Sequence, residues 1–213
     1  MDTQSTSEPA TPSAQALARL GKVRQLGYVV EDLDAAVEAW QDKLGVGPWT
    51  IMRGITLLCE FEGEASEPQI NIALAYRGDL QIELIQQRND AASPYLKHVR
   101  SGWYGLHHTA FITERIDEDT QALQDAGLKL KCDIRMPMGG RYVYLCSPIE
   151  SEHSYIELLE ATGMMKQLFA TGMQAAQNWQ GDARPLDIHL AWPLKTAASF
   201  SRFWARLRGR KVS

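Results

Sequence analysis

The chain has 213 residues, 45% of them hydrophobic, and a formal net charge of -4, with a pI near 5.8. A chain of this length buries roughly 70% of its unfolded surface, enough for one large domain or two small fused ones, and its acidic balance argues against a nucleic-acid-binding protein. Cys59, Cys132 and Cys146 form no CxxC pair, which argues against a disulfide framework or a cysteine zinc site and fits a reducing cytoplasm.

Residues 1 to about 20 are polar at first and lack the basic start and apolar run of a signal peptide, so a mobile tail leading into the fold is expected. Val23 to Glu31 suits a strand. Asp32 offers a helix cap, Leu33, Val37, Trp40 and Leu44 recur at helical spacing, and Gly45 is the stop. Trp49 to about Cys59, Gln69 to Tyr76 and Leu80 to Gln87 read as strands, the last two joined by a tight Arg77-Gly78-Asp79 turn. In the connector from Asn89 to Gly102, Ser93 is placed to cap a short helix with Pro94 at its first position. It shows little chemistry of its own.

The order then repeats. A strand from about Leu106 to Thr113 is followed by a helix to Ala126 with Gly127 as its stop. Strands follow near Leu128 to Met136, Arg141 to Cys146 and Ser154 to Glu160. From Gly163 the pattern is helical until Gly181 to Pro185. Further on, Phe200, Phe203, Trp204 and Leu207 fall on one helical face, with Arg202, Arg206 and Arg210 largely elsewhere, a basic amphipathic segment. Its apolar stripe is expected to pack on the protein or on a second copy, with anionic partners as the alternative. No apolar run approaches the ~20 residues of a membrane-spanning helix.

Two halves of the form βαβββ are therefore predicted, at residues 21–88 and 105–160. Each ends on the same tripeptide, Ile82-Glu83-Leu84 and Ile156-Glu157-Leu158, and each begins with a strand carrying a metal-ligand residue type, Gln25 and His108. Side chains alternate across a strand, so these four residues converge if the halves pack face to face. They offer nitrogen and oxygen donors suited to Zn, Ni, Co, Mn or Fe. A strand glutamate between apolar neighbours also suits a solvent face, and a lone strand histidine also suits a core. His107 is expected to point away from His108, and His98, His153 and His189 to serve as surface or packing residues.

Five segments resemble the vicinal oxygen chelate superfamily of glyoxalase I, methylmalonyl-CoA epimerase, bleomycin-resistance proteins and extradiol dioxygenases. They are Gln25 to Ala36, Leu44-Gly-Val-Gly-Pro-Trp49, Gln81-Ile-Glu-Leu-Ile85, Gly105-Leu-His-His-Thr-Ala-Phe111 and Ser154-Tyr-Ile-Glu-Leu-Leu159. The Ser93-Pro94 connector into Gly105-Leu-His-His is most similar to the epimerase branch. Residues 161–213 are expected from their own pattern to form a helical extension with a basic tail, and the resemblance, which covers about Val23 to Glu160, implies an α+β fold with two tandem βαβββ modules (residues 21–160) forming a concave mixed sheet around a metal site. It also implies metal ligands at Gln25, Glu83, His108 and Glu157, with Glu83 or Glu157 as the base. Gln25 stands where histidine is common, although some glyoxalase I enzymes use glutamine there.

The expected activity is a metal-dependent isomerase, epimerase or lyase that removes a proton beside a carbonyl. The substrate is a small carbonyl compound or thioester and the assembly a homodimer. Alternatives are a metal-free binding or resistance-type protein and, with only one histidine in a ligand position, an extradiol dioxygenase. Trp49, Arg77, Met138 and Arg141 are candidate substrate contacts, the methionine and tryptophan as apolar wall and the arginines as anion partners; core packing explains Met138 and Trp49 equally well.

Overall fold

The computed structural model describes residues 12–136, 140–146, 154–181 and 184–189. Its first helix, α1 (Pro12–Arg19), corrects the expected mobile tail over residues 12 to 19. Ala16, Leu17 and Leu20 make an apolar stripe that packs with Phe111, Ile116 and Leu123, and the alanine, glutamine, leucine and arginine between them are good helix formers.

The first module opens with β1 (Gln25–Val29) and α2 (Leu33–Leu44), whose start and stop are as expected. The Asp32 carboxylate accepts from the Ala35 amide, and Gly45 adopts the left-handed conformation. Leu33 and Val37 are buried under this helix, each contributing about 1.5–3 kcal/mol of burial. The single strand expected from Trp49 to Cys59 is instead divided into β2 (Thr50–Thr56) and β3 (Cys59–Phe61), and β3 turns back into β4 (Glu64–Ser66). Glu62 and Gly63, at φ 52° and 87°, form the turn, whose hand matches strand twist. Strands this short are invisible to alternation. β5 (Gln69–Arg77) and β6 (Leu80–Gln87) complete the module.

The Ser93 hydroxyl accepts from the Tyr95 and Leu96 amides, but α3 (Leu96–Ser101) begins later than expected, with Tyr95 as its cap residue, so Pro94 precedes the helix. The second module is β7 (Gly105–Thr113), α4 (Ile116–Asp125), β8 (Lys129–Arg135), β9 (Arg141–Cys146) and β10 (Tyr155–Glu160). After α5 (Gly163–Gln177) comes a correction to the all-helical extension: β11 (Leu186–His189) runs parallel to β2, with Leu186 opposite Thr50. The basic segment from Phe200 to Arg210 lies outside the described residues, as does His153. No described helix is long and apolar enough to cross a membrane.

All eleven strands form one curled mixed sheet in the order β11-β2-β5-β6-β1-β7-β10-β9-β8-β3-β4. In each module the first strand runs parallel to the last (β1 with β6, β7 with β10), and the modules join through antiparallel β1 and β7. The β3–β4 hairpin belongs to the first module in sequence but extends the edge of the second through β8. Alternation along β5 decides what covers each face. Ala73 and Ala75 pack under α2, whereas Leu74 and Tyr76 pack against α5. The face under α5 carries the site.

Candidate functional site

Register places the four expected ligand residues symmetrically. Glu83 lies opposite Gly27 and Glu157 opposite Ala110 on their parallel neighbours, and Gln25 and His108 each stand two residues earlier on those strands. Across the joint, Gln25 pairs with Ala110 and Gly27 with His108. Period-2 alternation therefore turns all four side chains to one face. His108 Nε2 is the point of convergence, 3.0 Å from Glu157 Oε2, 3.3 Å from Gln25 Oε1 and 3.5 Å from Glu83 Oε2. The ligand atoms of Glu83, His108 and Glu157 all lie within 4.8 Å of one another.

Three neighbours fix this geometry. Gly27 leaves the space that the imidazole fills, for a Cβ at that position would stand 1.9 Å from His108 Cε1. Gln81 shares a face with Glu83, and its Oε1 accepts from Gln25 Nε2 at 2.7 Å. Its own Nε2 donates to the Tyr76 hydroxyl. With its nitrogen held, Gln25 presents its oxygen to the cluster.

His107 is the third, and here the expected alternation fails. A bulge in β7 makes Gly27 pair with His108 but Tyr28 with Leu106, so His107 is the extra residue and both imidazoles are buried. His107 Nε2 donates to the Pro94 carbonyl at 3.0 Å. Burial, with His108 and His98 adding to it, pushes the His107 pKa well below its ordinary value, so its Nδ1 accepts. His108 Nδ1, 3.0 Å away, is then the donor, and its Nε2 is left facing the carboxylates. A ligating histidine is commonly oriented through its other ring nitrogen in this way. The connector thus has a chemical role that its sequence did not show: Pro94 fixes His107, and His98 packs edge-on against it with ring centroids 4.8 Å apart.

Burial by itself would lower the His108 pKa, but Glu157 and Glu83 outweigh it and raise it to about 9. Glu83 is also raised, by burial first, against the opposing pull of His108. Glu157 Oε2 is buried and, although close to His108, has no aligned hydrogen-bond donor. An unsatisfied carboxylate oxygen beside an imidazole nitrogen, an amide oxygen and a second carboxylate is a donor set that fits a divalent cation.

The cluster floors a cavity of about 170 Å³, walled by residues that include Ile72, Leu74, Tyr144, Met136, Met165 and Leu168. Three expected substrate contacts do not line it. Trp49 is fully buried with α2 on the opposite face of the sheet, because β2 turns it away from the site. Arg77 ends β5 and donates to the Gly45 carbonyl. Arg141 is held by Asp133 and Asp117, so its charge is already paired. Met138 lies outside the described residues. Gln81 was the most legible of the missed residues, since it stands two positions before Glu83 in the repeated motif; the bulge at His107 left no sequence signal.

Paired βαβββ modules that bring Gln25, Glu83, His108 and Glu157 together on one curled sheet define the vicinal oxygen chelate class. The sequence profile of the glyoxalase/bleomycin resistance protein/dioxygenase superfamily matches residues 24–145, more than half of the 213 residues, and the chain belongs to that superfamily. The uncharacterized protein YqjC of Bacillus subtilis (strain 168) is 32% identical over 98 residues, 46% of this chain and 69% of that protein. A hypothetical protein from Bacillus halodurans C-125 shares the fold with a TM-score of 0.51 at 18% identity, covering 66% of this chain and 94% of its own. Methylmalonyl-CoA epimerase from Mycobacterium tuberculosis aligns with a TM-score of 0.49 at 23% identity, over 68% of this chain and 91% of its own.

Proposed function

We propose that this protein is a metal-dependent isomerase, epimerase or lyase that removes a proton beside the carbonyl of a small carbonyl compound or thioester. The observation that carries the reading is the convergence of three oxygens from Gln25, Glu83 and Glu157 within 3.0–3.5 Å of His108 Nε2, at the floor of an apolar cavity. These four residues would hold Zn, Ni, Co, Mn or Fe. When bound, such an ion supplies Lewis-acid polarisation to a carbonyl oxygen.

Glu83 is the base in this proposal. Its side chain is 13% exposed against 3% for Glu157, and burial raises its pKa toward the range in which a carboxylate exchanges protons near neutrality. A Glu83 carboxylate oxygen takes the proton, and the C–H electron pair moves into the adjoining carbonyl to give an enolate. Returning a proton to the same carbon from the other face completes an epimerisation; where that carbon also bears a hydroxyl, loss of the hydroxyl proton and reprotonation at the former carbonyl carbon completes an isomerisation, and neither changes the overall redox state. Glu157, pressed against His108, is the alternative proton carrier. The aliphatic walls exclude water from this exchange.

The test is metal analysis of the purified protein, then α-deuterium exchange with acyl-CoA thioesters and 2-oxoaldehyde adducts. Retained divalent metal with metal-dependent exchange is expected; the absence of both metal uptake and exchange would remove the reading. A second reading, a metal-free small-molecule binder, draws on the 3.0 Å His108–Glu157 contact, by which a protonated imidazole neutralises the cluster without an ion. Tight ligand binding unaffected by chelation is its signature. We also propose a cytoplasmic homodimer, in keeping with Cys59, Cys132 and Cys146, none of which forms a disulfide among the described residues. A monomer by light scattering at micromolar concentration would count against that assembly.

A further inference from the structure

The cavity walls extend this reading to the kind of acyl group the centre accepts, and the inference rests on the carbonyl chemistry proposed above. Glu83 and Glu157 are the only charged side chains among the described residues that line the cavity. Its other polar groups are largely engaged with one another, Gln25 with Gln81 at 2.7 Å and the Tyr95 hydroxyl with that of Tyr144 at 2.9 Å. Arg141, next to the lining Tyr142, is held by Asp133 and Asp117. An anionic substituent entering here would meet two carboxylates and an aliphatic wall, with no cation among the described lining residues to pair with, so its desolvation would go largely uncompensated.

One wall comes from outside the part of the chain that matches the superfamily profile, residues 24–145. It is α5, which contributes Met164, Met165 and Leu168, two of them unbranched thioethers that adapt to the shape of a guest. An apolar cavity of roughly 150 Å³ holds a benzene-sized molecule. The volume here is about 170 Å³.

We propose that the substrate is a carbonyl compound or thioester whose acyl group is apolar and uncharged, with roughly six or seven heavy atoms by that comparison, and that acyl groups bearing a second carboxylate are rejected. The helix α5 is the element that sets this preference.

The experiment titrates the full-length protein, metal-loaded and metal-free, with N-acetylcysteamine thioesters of butanoate, pentanoate, hexanoate and adipate by calorimetry. Affinity is expected to tighten about fourfold per added methylene until the cavity is full. The adipoyl thioester, in which an ionised carboxylate replaces the terminal methyl of the hexanoyl chain, should bind about 100-fold more weakly or worse. Equal affinity for hexanoyl and adipoyl thioesters, or no gain with chain length, overturns the proposal. Leu168→Lys should close the gap between the two ligands by tenfold or more, and an unchanged gap in the folded variant removes α5 as the determinant. Deuterium exchange separates the two levels of inference. Hexanoyl binding with the expected length dependence but no α-exchange in the metal-loaded protein defeats the catalytic reading while upholding the ligand class; metal-dependent exchange at equal efficiency on the adipoyl thioester does the reverse.

Discussion

The two modules use one backbone pattern to make unequal half-sites. In the second, the His108 ring is fully buried, its Nδ1 is held by His107, and Glu157 is 3% exposed. In the first, Gln25 is an amide steered by Gln81, and Glu83 is the more open carboxylate. The inequality extends to the residues two positions further along each first strand. Gly27 has no side chain, so the His108 ring lies across β1, whereas Ala110 opposite Gln25 keeps its methyl group. In the proposed function the duplicated scaffold separates two tasks: the second half would anchor the ion, and the first half exposes the carboxylate proposed as the base. An imidazole held rigidly from behind is a good anchor, while a carboxylate at the cavity edge has the freedom a base needs.

The most damaging way to break this asymmetry is to remove the anchor. His108→Ala is expected to abolish metal retention and activity, a larger loss than the roughly 10–100-fold that outer partners of a ligand contribute, measured by metal content after dialysis. Retention at the parental level would show that the ligand assignment is wrong. Glu157→Ala should behave the same way, whereas Gln25→His should retain or tighten the metal, because imidazole is the stronger donor to a borderline ion.

Gly27→Ala against Ala110→Gly compares the two halves at matched positions. The first places a methyl group 1.9 Å from the imidazole and should cost about 1–3 kcal/mol of stability by overpacking, together with most of the metal affinity. The reverse change should cost only about 0.5–1 kcal/mol through backbone freedom and spare the metal. Urea denaturation and metal titration of both variants decide it; equal losses would mean that the glycine does not make room for the histidine.

Gln81→Leu sharpens the comparison more gently. With its nitrogen unheld, Gln25 is free to rotate its amide, and metal affinity should fall about 10–100-fold. The same change made in Gln25→His should matter much less, because a ring nitrogen does not need Gln81 to choose its donor atom. Similar losses in both backgrounds would assign Gln81 a packing role instead.

The last comparison is the pH dependence. His108, raised to about 9 in the folded metal-free protein, contributes stability that is fully present below its unfolded pKa of roughly 6.5 and is lost as pH rises through about 9. Glu83, also raised, acts in the same direction. His107, lowered well below its ordinary value, acts in the opposite one, its contribution being lost as pH falls below roughly 6.5. Stability of the metal-free protein should therefore fall between pH 6.5 and 9. Metal binding must displace the His108 proton, so affinity should rise about tenfold per pH unit over that window. Thermal shifts with and without Zn test both statements, and an affinity independent of pH would show that His108 is already neutral.

Much of this was legible because it repeats at low resolution. Ile82-Glu83-Leu84 and Ile156-Glu157-Leu158, each following a strand, helix and strands of the right length, carry the module pattern without any knowledge of packing. Helix ends were readable where a local hydrogen bond sets them, as at Asp32 and Gly45. The β3–β4 hairpin was not, since its strands are three residues each and its partner β8 lies some seventy residues away. The α1 helix gains its order from Phe111 and Leu123, contacts that a local window does not contain.

At the site, strand alternation and the repeated motif fixed which residues are of ligand type and that they share a face, because both follow from the chain's own period. Alternation reads direction but not depth, and it fails at a bulge. Tertiary structure therefore decided what local pattern has no means to encode: that His107 turns inward to hold His108, that Gly27 makes room for its ring, that Gln81 selects the Gln25 oxygen, and that Trp49, Arg77 and Arg141 are occupied elsewhere. Each depends on which atoms from distant segments compete for one space or one hydrogen bond, and that competition exists only once the sheet has closed.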